Sequence, residues 1–202
     1  SEAVASILTA AGVTSAPVFD DDLGSAVIRK CIPQNTTCRE AIRLCAQAAM
    51  CVCMVDRNDQ FRFMRPKFSE TAHDLVRDTL REEPSVAVED RYNAVKVTRR
   101  DEYASTSEDE SYTASMAKAD EMTLTKEINN PLIIDLQEFA EWALSWVQRR
   151  TAFQVEYRGN PILDLCDTVK VYDVFGVNGN ALIESSDLDY DSSLTGSIKA
   201  RR

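Results

Sequence analysis

The chain has 202 residues and a formal net charge of −10, from 23 Lys and Arg against 33 Asp and Glu. Its length fits one large domain or two small ones, and its 44% hydrophobic residues suffice for a sizeable core. The acidic balance excludes a generic binder of nucleic-acid backbones, which needs a basic face. No apolar run reaches the roughly 20 residues that span a bilayer, so we expect no membrane anchor. The chain starts at Ser1 without a signal-peptide pattern, and the missing initiator Met predicts a processed product or an excised fragment.

The six cysteines have spacings that favour packing over chemistry. They form no C-x-x-C pair, and the chain has one His, whereas zinc sites usually combine such pairs with histidines. We therefore expect small buried hydrophobic side chains in a reducing cytoplasm, with one incidental disulfide or a metal as alternatives. The residues are Cys31, Cys38, Cys45, Cys51, Cys53 and Cys166.

The N-terminal elements begin with a short helix. Apolar residues at helical spacing predict a helix over residues 1–11, and Gly12 stands where a C-terminal glycine belongs. Residues 13–22 include Pro17 and three consecutive aspartates, which predicts a loop. A short strand is predicted at Ser25–Arg29.

A capped helix and a β-hairpin come next. Thr37 and Glu40 form an S/T-x-x-E capping box, and an apolar stripe that would face the core follows it. The stripe consists of Cys38, Ala41, Ile42, Cys45, Ala46 and Ala49. Residues 51–55 and 60–64 flank a polar turn and predict a hairpin with Phe61 and Phe63 on one face.

The middle of the chain is more polar. Residues 69–90 predict a connector that holds one helical turn and a short strand. Asp101–Glu121 is acidic and Ser/Thr-rich, which predicts a mobile loop or the solvent-facing tip of a long hairpin. The local elements are a helical turn at Asp74–Leu80 and strands at Val86–Val88, Ala94–Thr98 and Met122–Ile128.

The last third combines one long helix with strands. The helix is predicted at about 135–150, with a buried stripe, acids toward its start and Arg149 and Arg150 at its end. Alternating residues then predict strands around 153–157, 167–174, 181–190 and 194–200, the last two paired across Asp191–Ser193. The predicted fold class is α+β: a small α/β lobe followed by a strand-rich, β-barrel-like lobe with one long packed helix. The domain division is 1–68, 69–90 and 91–202.

The residues that could carry chemistry give no constellation. His73 is the single imidazole and lies in the polar connector, so a surface histidine is expected rather than a general base. No nucleophile elbow or phosphate-binding loop occurs. Asp187–Asp191 begins like a calcium loop, but Ser192 and Ile198 stand where Gly and Glu belong, which favours strand and turn. We therefore predict no catalytic, cofactor-binding or metal-binding residues.

Three further sequence features could have a functional role. Asp20–Asp22 could attract a cation, although an exposed acidic loop is the simpler interpretation. Asn35 opens a glycosylation pattern without other signs of secretion. Trp142 and Trp146 lie four residues apart on the long helix, where core packing is expected and a subunit-binding face is the alternative.

The order of the C-terminal motifs resembles the hub or tail-tip proteins of long-tailed bacteriophages and prophages, including the structural amino-terminal part of tail-associated endopeptidases or lysins. In that family a helix leads to an R-G-N-P turn, a G-D-x-V strand and a closing hairpin. Here Cys166 replaces the glycine before Asp167, and Ser192-Ser193 replace a glycine pair. The matching segments are Asn130-Pro131, Tyr157–Pro161, Leu165–Val169, Val171–Asp173 and Leu188–Gly196, and, in the first lobe and after it, Asp56–Phe63 and Arg91–Val97.

The resemblance implies a structural component of a tail hub or tail tip, not an enzyme. Such a protein links the tail tube to the tip or spike by protein-protein contacts, as a homotrimer in the assembled tail. The implied location is the virion tail, after assembly in the bacterial cytoplasm, and no cofactor is implied. The alternatives are a fragment of a peptidase or cell-wall hydrolase, or a carbohydrate-binding module for host recognition.

Overall fold

The computed structural model describes residues 2–20, 23, 26–29, 35–68, 72–74, 80–88, 92–100, 109–117, 121–172 and 178–202. Within these ranges it is β-rich with some helix, and the predicted α+β class is confirmed. The helices are α1 (Glu2–Ala10), α2 (Cys38–Ala48) and α3 (Leu136–Val147). The strands are β1 (Val18–Phe19), β2 (Val52–Val55), β3 (Phe61–Met64), β4 (His73–Asp74), β5 (Ser85–Val88), β6 (Ala94–Arg99), β7 (Glu110–Ser115), β8 (Thr125–Asn129), β9 (Thr151–Arg158), β10 (Thr168–Tyr172), β11 (Asn178–Asp191) and β12 (Ser193–Arg201).

The chain groups into two compact units, each assembled from two segments. Unit 1 comprises Ser1–Arg65 and Tyr92–Val147, and unit 2 comprises Pro66–Arg91 and Gln148–Arg202. Helix α3 belongs to unit 1 because it packs on β6 and β7. The domain division predicted from the sequence (1–68, 69–90 and 91–202) instead places this helix with the C-terminal strands. That division stays a prediction.

Helix α1 is predicted well. Val4 and Leu8 are buried, as the apolar spacing requires. Gly12 ends the helix with a φ of 81°, a left-handed conformation that glycine adopts at little cost. The N–H of Val13 then donates to the carbonyl of Leu8 at 2.9 Å, which satisfies one of the last helical carbonyls.

Helix α2 forms half of the predicted capping box. The Thr37 hydroxyl accepts from the N–H of Glu40 at 3.3 Å, while the Glu40 carboxylate pairs with Arg43 at 2.6 Å. The stripe faces the core as predicted at Ala41, Ile42, Cys45 and Ala46. The prediction for Cys38 is wrong: this first residue of the helix is exposed.

The first sheet of unit 1 has the order β1-β3-β2. The predicted hairpin is confirmed as the antiparallel pair of β2 and β3, and Phe63 is buried against Phe19 with ring centroids 5.0 Å apart. Strand β1 pairs parallel to β3 within the predicted loop 13–22. Residues 26–29 form no strand, so that prediction is wrong there; the N–H of Arg29 instead donates to the carbonyl of Leu132.

The second sheet of unit 1 has the order β7-β6-β8 and is covered by α3. Strand β7 lies within the acidic stretch 101–121 and pairs antiparallel with β6, so the prediction of a loop or hairpin tip is wrong for residues 110–115. The strand after this stretch, β8, pairs with β6 in parallel and not as its hairpin partner. The rest of that stretch lies largely outside the described residues. Helix α3 is shorter than predicted, and the Asp135 carboxylate caps it by accepting from the N–H of Glu138 at 2.9 Å.

Asn130 lies next to a segment that packs in both apolar clusters of unit 1. Its side chain is fully buried and donates to the Leu44 carbonyl at 2.9 Å and to Gln47 Oε1 at 3.0 Å. Its own Oδ1 accepts from the N–H of Leu132 at 2.9 Å. Leu132 packs in the cluster around α1 and α2, and Ile133 packs in the cluster around α3. This amide therefore fixes the segment that both clusters share.

Unit 2 contains one sheet of six strands in the order β4-β10-β11-β12-β9-β5, curled into a half-barrel. The predicted pair of C-terminal strands is confirmed as the antiparallel hairpin of β11 and β12. The predicted helical turn at Asp74–Leu80 falls mostly outside the described residues. The core comprises Phe153, Val155, Tyr157, Leu163, Val169, Val171, Ala181, Ile183, Ile198 and Ala200.

Gly196 gives room to the largest core side chain of unit 2. It lies opposite Tyr157 in the pairing of β12 with β9, and the tyrosine is 1% exposed. A Cβ placed on Gly196 would lie 2.6 Å from Tyr157 Cε1 and 2.8 Å from Cζ. Glycine is required here because the ring lies directly over the backbone.

Candidate functional site

The single histidine lies on a short edge strand. His73 begins β4, which pairs parallel to β10, and its side chain is exposed. Within the described part of the chain, no group of three or more His, Cys, Asp or Glu side chains could hold a metal ion. The predicted lack of catalytic and metal-binding residues stays a prediction, since the described residues are not the whole chain.

The acidic residues singled out in the sequence lie in different settings. Asp20 follows β1 and pairs with Arg62 at 3.4 Å, whereas Asp21 and Asp22 lie outside the described residues. Asp187–Asp191 forms the end of β11 in regular antiparallel pairing with β12. This geometry supports the strand interpretation over a calcium loop, because a strand points alternate side chains to opposite faces.

Three of the cysteines lie together in the core of unit 1. Cys45, Cys51 and Cys53 contribute to the cluster around α1 and α2, and Cys51 Sγ donates to the carbonyl of Ala46 at 3.3 Å. Burial, and then the neighbouring Cys53 thiol, raises the pKa of Cys51 to about 12. Burial raises the pKa of Cys53 to about 11. These thiols stay protonated at neutral pH, which suits packing and not nucleophilic chemistry.

The raised thiol pKa values predict a loss of stability in alkali. Above about pH 9 the unfolded chain releases the thiol proton, while folded Cys51 keeps it until about pH 12. The free energy of unfolding therefore falls as the pH rises between these values, by up to about 1.4 kcal/mol per pH unit for such a group. Urea denaturation between pH 8 and pH 11 measures this slope. Cys51→Ala should flatten the slope, and Cys38→Ala, which removes an exposed thiol, should leave it unchanged.

An apolar cavity of about 50 Å³, partly open to solvent, lies beside these thiols. It is far smaller than a pocket for a drug-sized ligand, and a binding site also needs a few polar groups that fix the orientation of the ligand. Among the described residues, no charged side chain lines it. The lining consists of Ala3, Val4, Phe19, Leu23, Ala26, Ile28, Cys45, Ala49, Cys51 and Phe63. This cavity can accept an apolar group but offers no chemistry.

The tryptophans form an aromatic row on α3. Phe139 and Trp142 have ring centroids 5.5 Å apart, and Trp142 and Trp146 are 6.3 Å apart. Phe139 is buried, and both tryptophans are partly buried. The contact of Trp142 with the core of unit 1 supports the packing interpretation for that residue.

Several exposed apolar side chains lie on strands or near strand ends. In unit 1, Met116, Met122 and Leu124 lie near Asn93, which hydrogen-bonds to the backbone of all three. In unit 2, the edge strand β5 exposes Val86 and Val88, and the hairpin of β11 and β12 exposes Leu188 and Tyr190. Such surfaces suit contacts with other proteins. The strand pattern could have indicated the hairpin surface, whereas nothing in the sequence indicates the cluster near Asn93.

Within the described ranges, no helix has the length and hydropathy needed to cross a membrane. The chain has the fold of phage and prophage tail proteins, and the resemblance drawn from the sequence is thereby confirmed for the fold. It is similar over 99% of its length to the 43 kDa tail protein of prophage MuSo2 from Shewanella oneidensis, with a TM-score of 0.68 and 15% identity. Over 100% of its length it is similar to a tail protein from Neisseria meningitidis MC58, with a TM-score of 0.72 and 10% identity.

A third similar chain belongs to the virion of a native gene transfer agent particle, with 98% of the present chain covered, a TM-score of 0.73 and 16% identity. The present chain spans 66%, 65% and 46% of these three chains. No protein-family model matches the chain, and no characterised protein matches it by sequence. At such identities the likeness shows the fold alone.

Proposed function

We propose that the chain is a structural component of a phage or prophage tail, located at the hub or tail tip. It links the tail tube to the tip or spike by protein-protein contacts and forms a homotrimer in the assembled tail. The observation that carries the proposal is the match of 98–100% of this chain to three proteins of tails or virions. The virion tail is accordingly its proposed location, after assembly in the bacterial cytoplasm.

The described side chains support a role in contacts and not in turnover. The thiols of Cys51 and Cys53 have raised pKa values, and the lining of the apolar cavity that the structure describes carries no charge. The exposed strand edges and apolar side chains suit assembly. The proposal therefore includes the absence of enzymatic activity. Among the aromatic side chains that the structure describes, Tyr190 alone is largely exposed, which does not favour a carbohydrate-binding groove.

A deletion of the gene that encodes the chain tests the proposed function. Particles from the deletion strain should have filled heads but lack complete, attached tails in negative-stain electron microscopy, because the tip would not assemble. Expression of the intact gene in trans should restore complete tails. Normal tails that still fail to infect would contradict an assembly role and favour an enzymatic or host-binding one. A test for cell-wall degradation, with His73→Ala as the comparison, separates those two.

A further inference from the structure

Strand β11 of the β11–β12 hairpin extends beyond the end of its neighbour β10 in the sheet of unit 2. Strand β10 pairs with residues 178–182 of β11, and strand β9 pairs with residues 195–201 of β12. Residues 185–191 of β11 therefore pair with β12 on one side, and no described strand pairs with their other side. We call residues 185–195 the arm. The seven residues 185–191, whose outer side is the free edge, span about 23 Å at the usual rise of a strand.

The two faces of the arm have different chemistry. Leu188 lies opposite Gly196, whose other neighbour is the buried Tyr157, and Tyr190 lies opposite Leu194. These pairs continue the apolar face of the core, yet Leu188 is 43% and Tyr190 is 75% exposed. The arm thus presents Tyr190 and part of Leu188 at the surface of the described chain.

The opposite face carries acids along its outer edge. Asp187, Asp189 and Asp191 alternate with the apolar residues and lie opposite Ser197, Thr195 and Ser193. The strand pairing places two basic side chains on the same face. Arg158 of β9 lies opposite Thr195, and Lys199 of β12 lies opposite Ser185. The charged residues of β11 between positions 185 and 191 are these three aspartates. Because β11 is the outermost strand of the arm, its edge therefore carries negative charge.

The arm is held against the turn that follows β9. The N–H of Gly159 donates to the carbonyl of Leu194 at 3.3 Å. A Cβ on Gly159 would lie 2.7 Å from Leu194 Cγ and 3.0 Å from Leu188 Cδ2, so both leucines pack directly on this turn. The edge is therefore presented by an anchored strand, which lowers the entropic cost of binding.

We propose that the arm is a docking edge for an extended segment of a partner protein in which basic and apolar residues alternate. The segment adds a strand to residues 185–191, with its Lys or Arg residues beside Asp187, Asp189 and Asp191 and its apolar residues beside Leu188 and Tyr190. Main-chain hydrogen bonds supply affinity, and the alternating side chains supply selectivity. The inference rests on the proposed function for the kind of partner, another tail protein.

A second copy of the same arm is a poor occupant. Edge-to-edge pairing of two arms would bring their three aspartates together, and like charges that face each other across strands are destabilising. Charged residues on an edge strand also protect proteins against aggregation. If protection were their only role, removal of the charges would cause self-association without any effect on a basic segment.

The test uses the full chain and two synthetic peptides. The peptide acetyl-Thr-Lys-Val-Arg-Val-Lys-Thr-amide matches the arm in period and charge, and its control has Glu at the three basic positions. In two-dimensional amide NMR at 50 mM salt, the basic peptide should shift the resonances of residues 185–191 and slow their hydrogen exchange. The acidic peptide should leave them unchanged. No response to the basic peptide, or an equal response to both peptides, would overturn the inference.

Matched variants separate charge at the edge from charge elsewhere. Asp189→Asn with Asp191→Asn should weaken binding of the basic peptide about five- to tenfold, and salt at 500 mM should weaken wild-type binding similarly. Glu82→Gln with Glu83→Gln removes the same charge from exposed positions of unit 2 outside the arm and should have little effect. Equal losses in both variants, or self-association of the arm variant with unchanged peptide binding, would overturn it. Failure of these peptide experiments leaves the tail-assembly test unaffected, so the two proposals can fail separately.

Discussion

Asn130→Asp is expected to lower the free energy of unfolding of unit 1 by about 3–5 kcal/mol at neutral pH. The substitution removes both N–H donors and places a carboxylate oxygen against two acceptors, the Leu44 carbonyl and Gln47 Oε1. The site is fully buried, so water cannot solvate the charge. The substitution keeps the oxygen that accepts from the N–H of Leu132. The loss of stability therefore comes from the missing N–H donors and the buried charge.

The measurement is urea denaturation followed by tryptophan fluorescence, because both tryptophans of the chain, Trp142 and Trp146, lie in unit 1. Burial raises the pKa of the new carboxyl above its value of about 4 in the unfolded chain, so the penalty should shrink as the pH falls toward about 4. Asn160→Asp is the matched control: Asn160 also precedes a proline, and its Oδ1 accepts from the N–H of Ile162 at 3.1 Å. Because Asn160 lies in unit 2, its effect is measured by hydrogen exchange of the amides of that unit. Asn160 is only half-buried, so a cost below about 0.5 kcal/mol is expected. Similar costs at both positions would contradict the role assigned to Asn130.

Gly196→Ala is expected to destabilise unit 2 by about 3 kcal/mol. The new methyl group would lie well inside contact distance of the Tyr157 ring, and the ring is enclosed in the core. Either the ring or the pairing of β12 with β9 must shift. Hydrogen exchange of the β9 and β12 amides, measured by mass spectrometry, should report the change because these strands carry the contact.

A double-mutant cycle with Tyr157→Ala assigns the cause of that loss. In the background without the ring, Gly196→Ala should cost less than about 1 kcal/mol, since the contact is gone. Gly12→Ala gives a second comparison, because nothing lies within 4 Å of its added Cβ and only the left-handed φ of 81° opposes it. We expect about 1–2 kcal/mol there. An unchanged cost of Gly196→Ala without the ring would show that the backbone, not Tyr157, requires the glycine.

The sequence predicts those helices and strands whose ends are set by residues close together in the chain. The cap at Thr37 and the glycine after α1 act over three or four residues, and the hairpin of β2 and β3 is set by alternation around a polar turn. Strand β1 was missed because its two residues are ordered by parallel pairing with β3, more than 40 positions away. The exposure of Cys38 was missed for a similar reason: an apolar stripe does not show where its packing partner ends.

The strands on which α3 packs are not evident from order along the chain. Helix α3 follows β8 and precedes β9, yet its buried face meets β6 and β7, so the helix groups with unit 1. Asn130 was noticed as part of a turn motif, but its role depends on two acceptors in α2, more than 80 positions earlier. The arm was predicted as a hairpin, whereas its free edge depends on where β10 stops pairing.

The most direct test of the account is the location of the chain in assembled particles. Particles produced by the phage or bacterium that encodes it should be purified, and their detached tails studied by quantitative mass spectrometry and cryo-electron microscopy. If the chain is a structural component of the tail tip, it should occur in the tail fraction at three copies per tail, with density for both units at the tip end of the tube. Its absence from purified tails, with the protein found only in the cell lysate, would contradict a structural role in the tail.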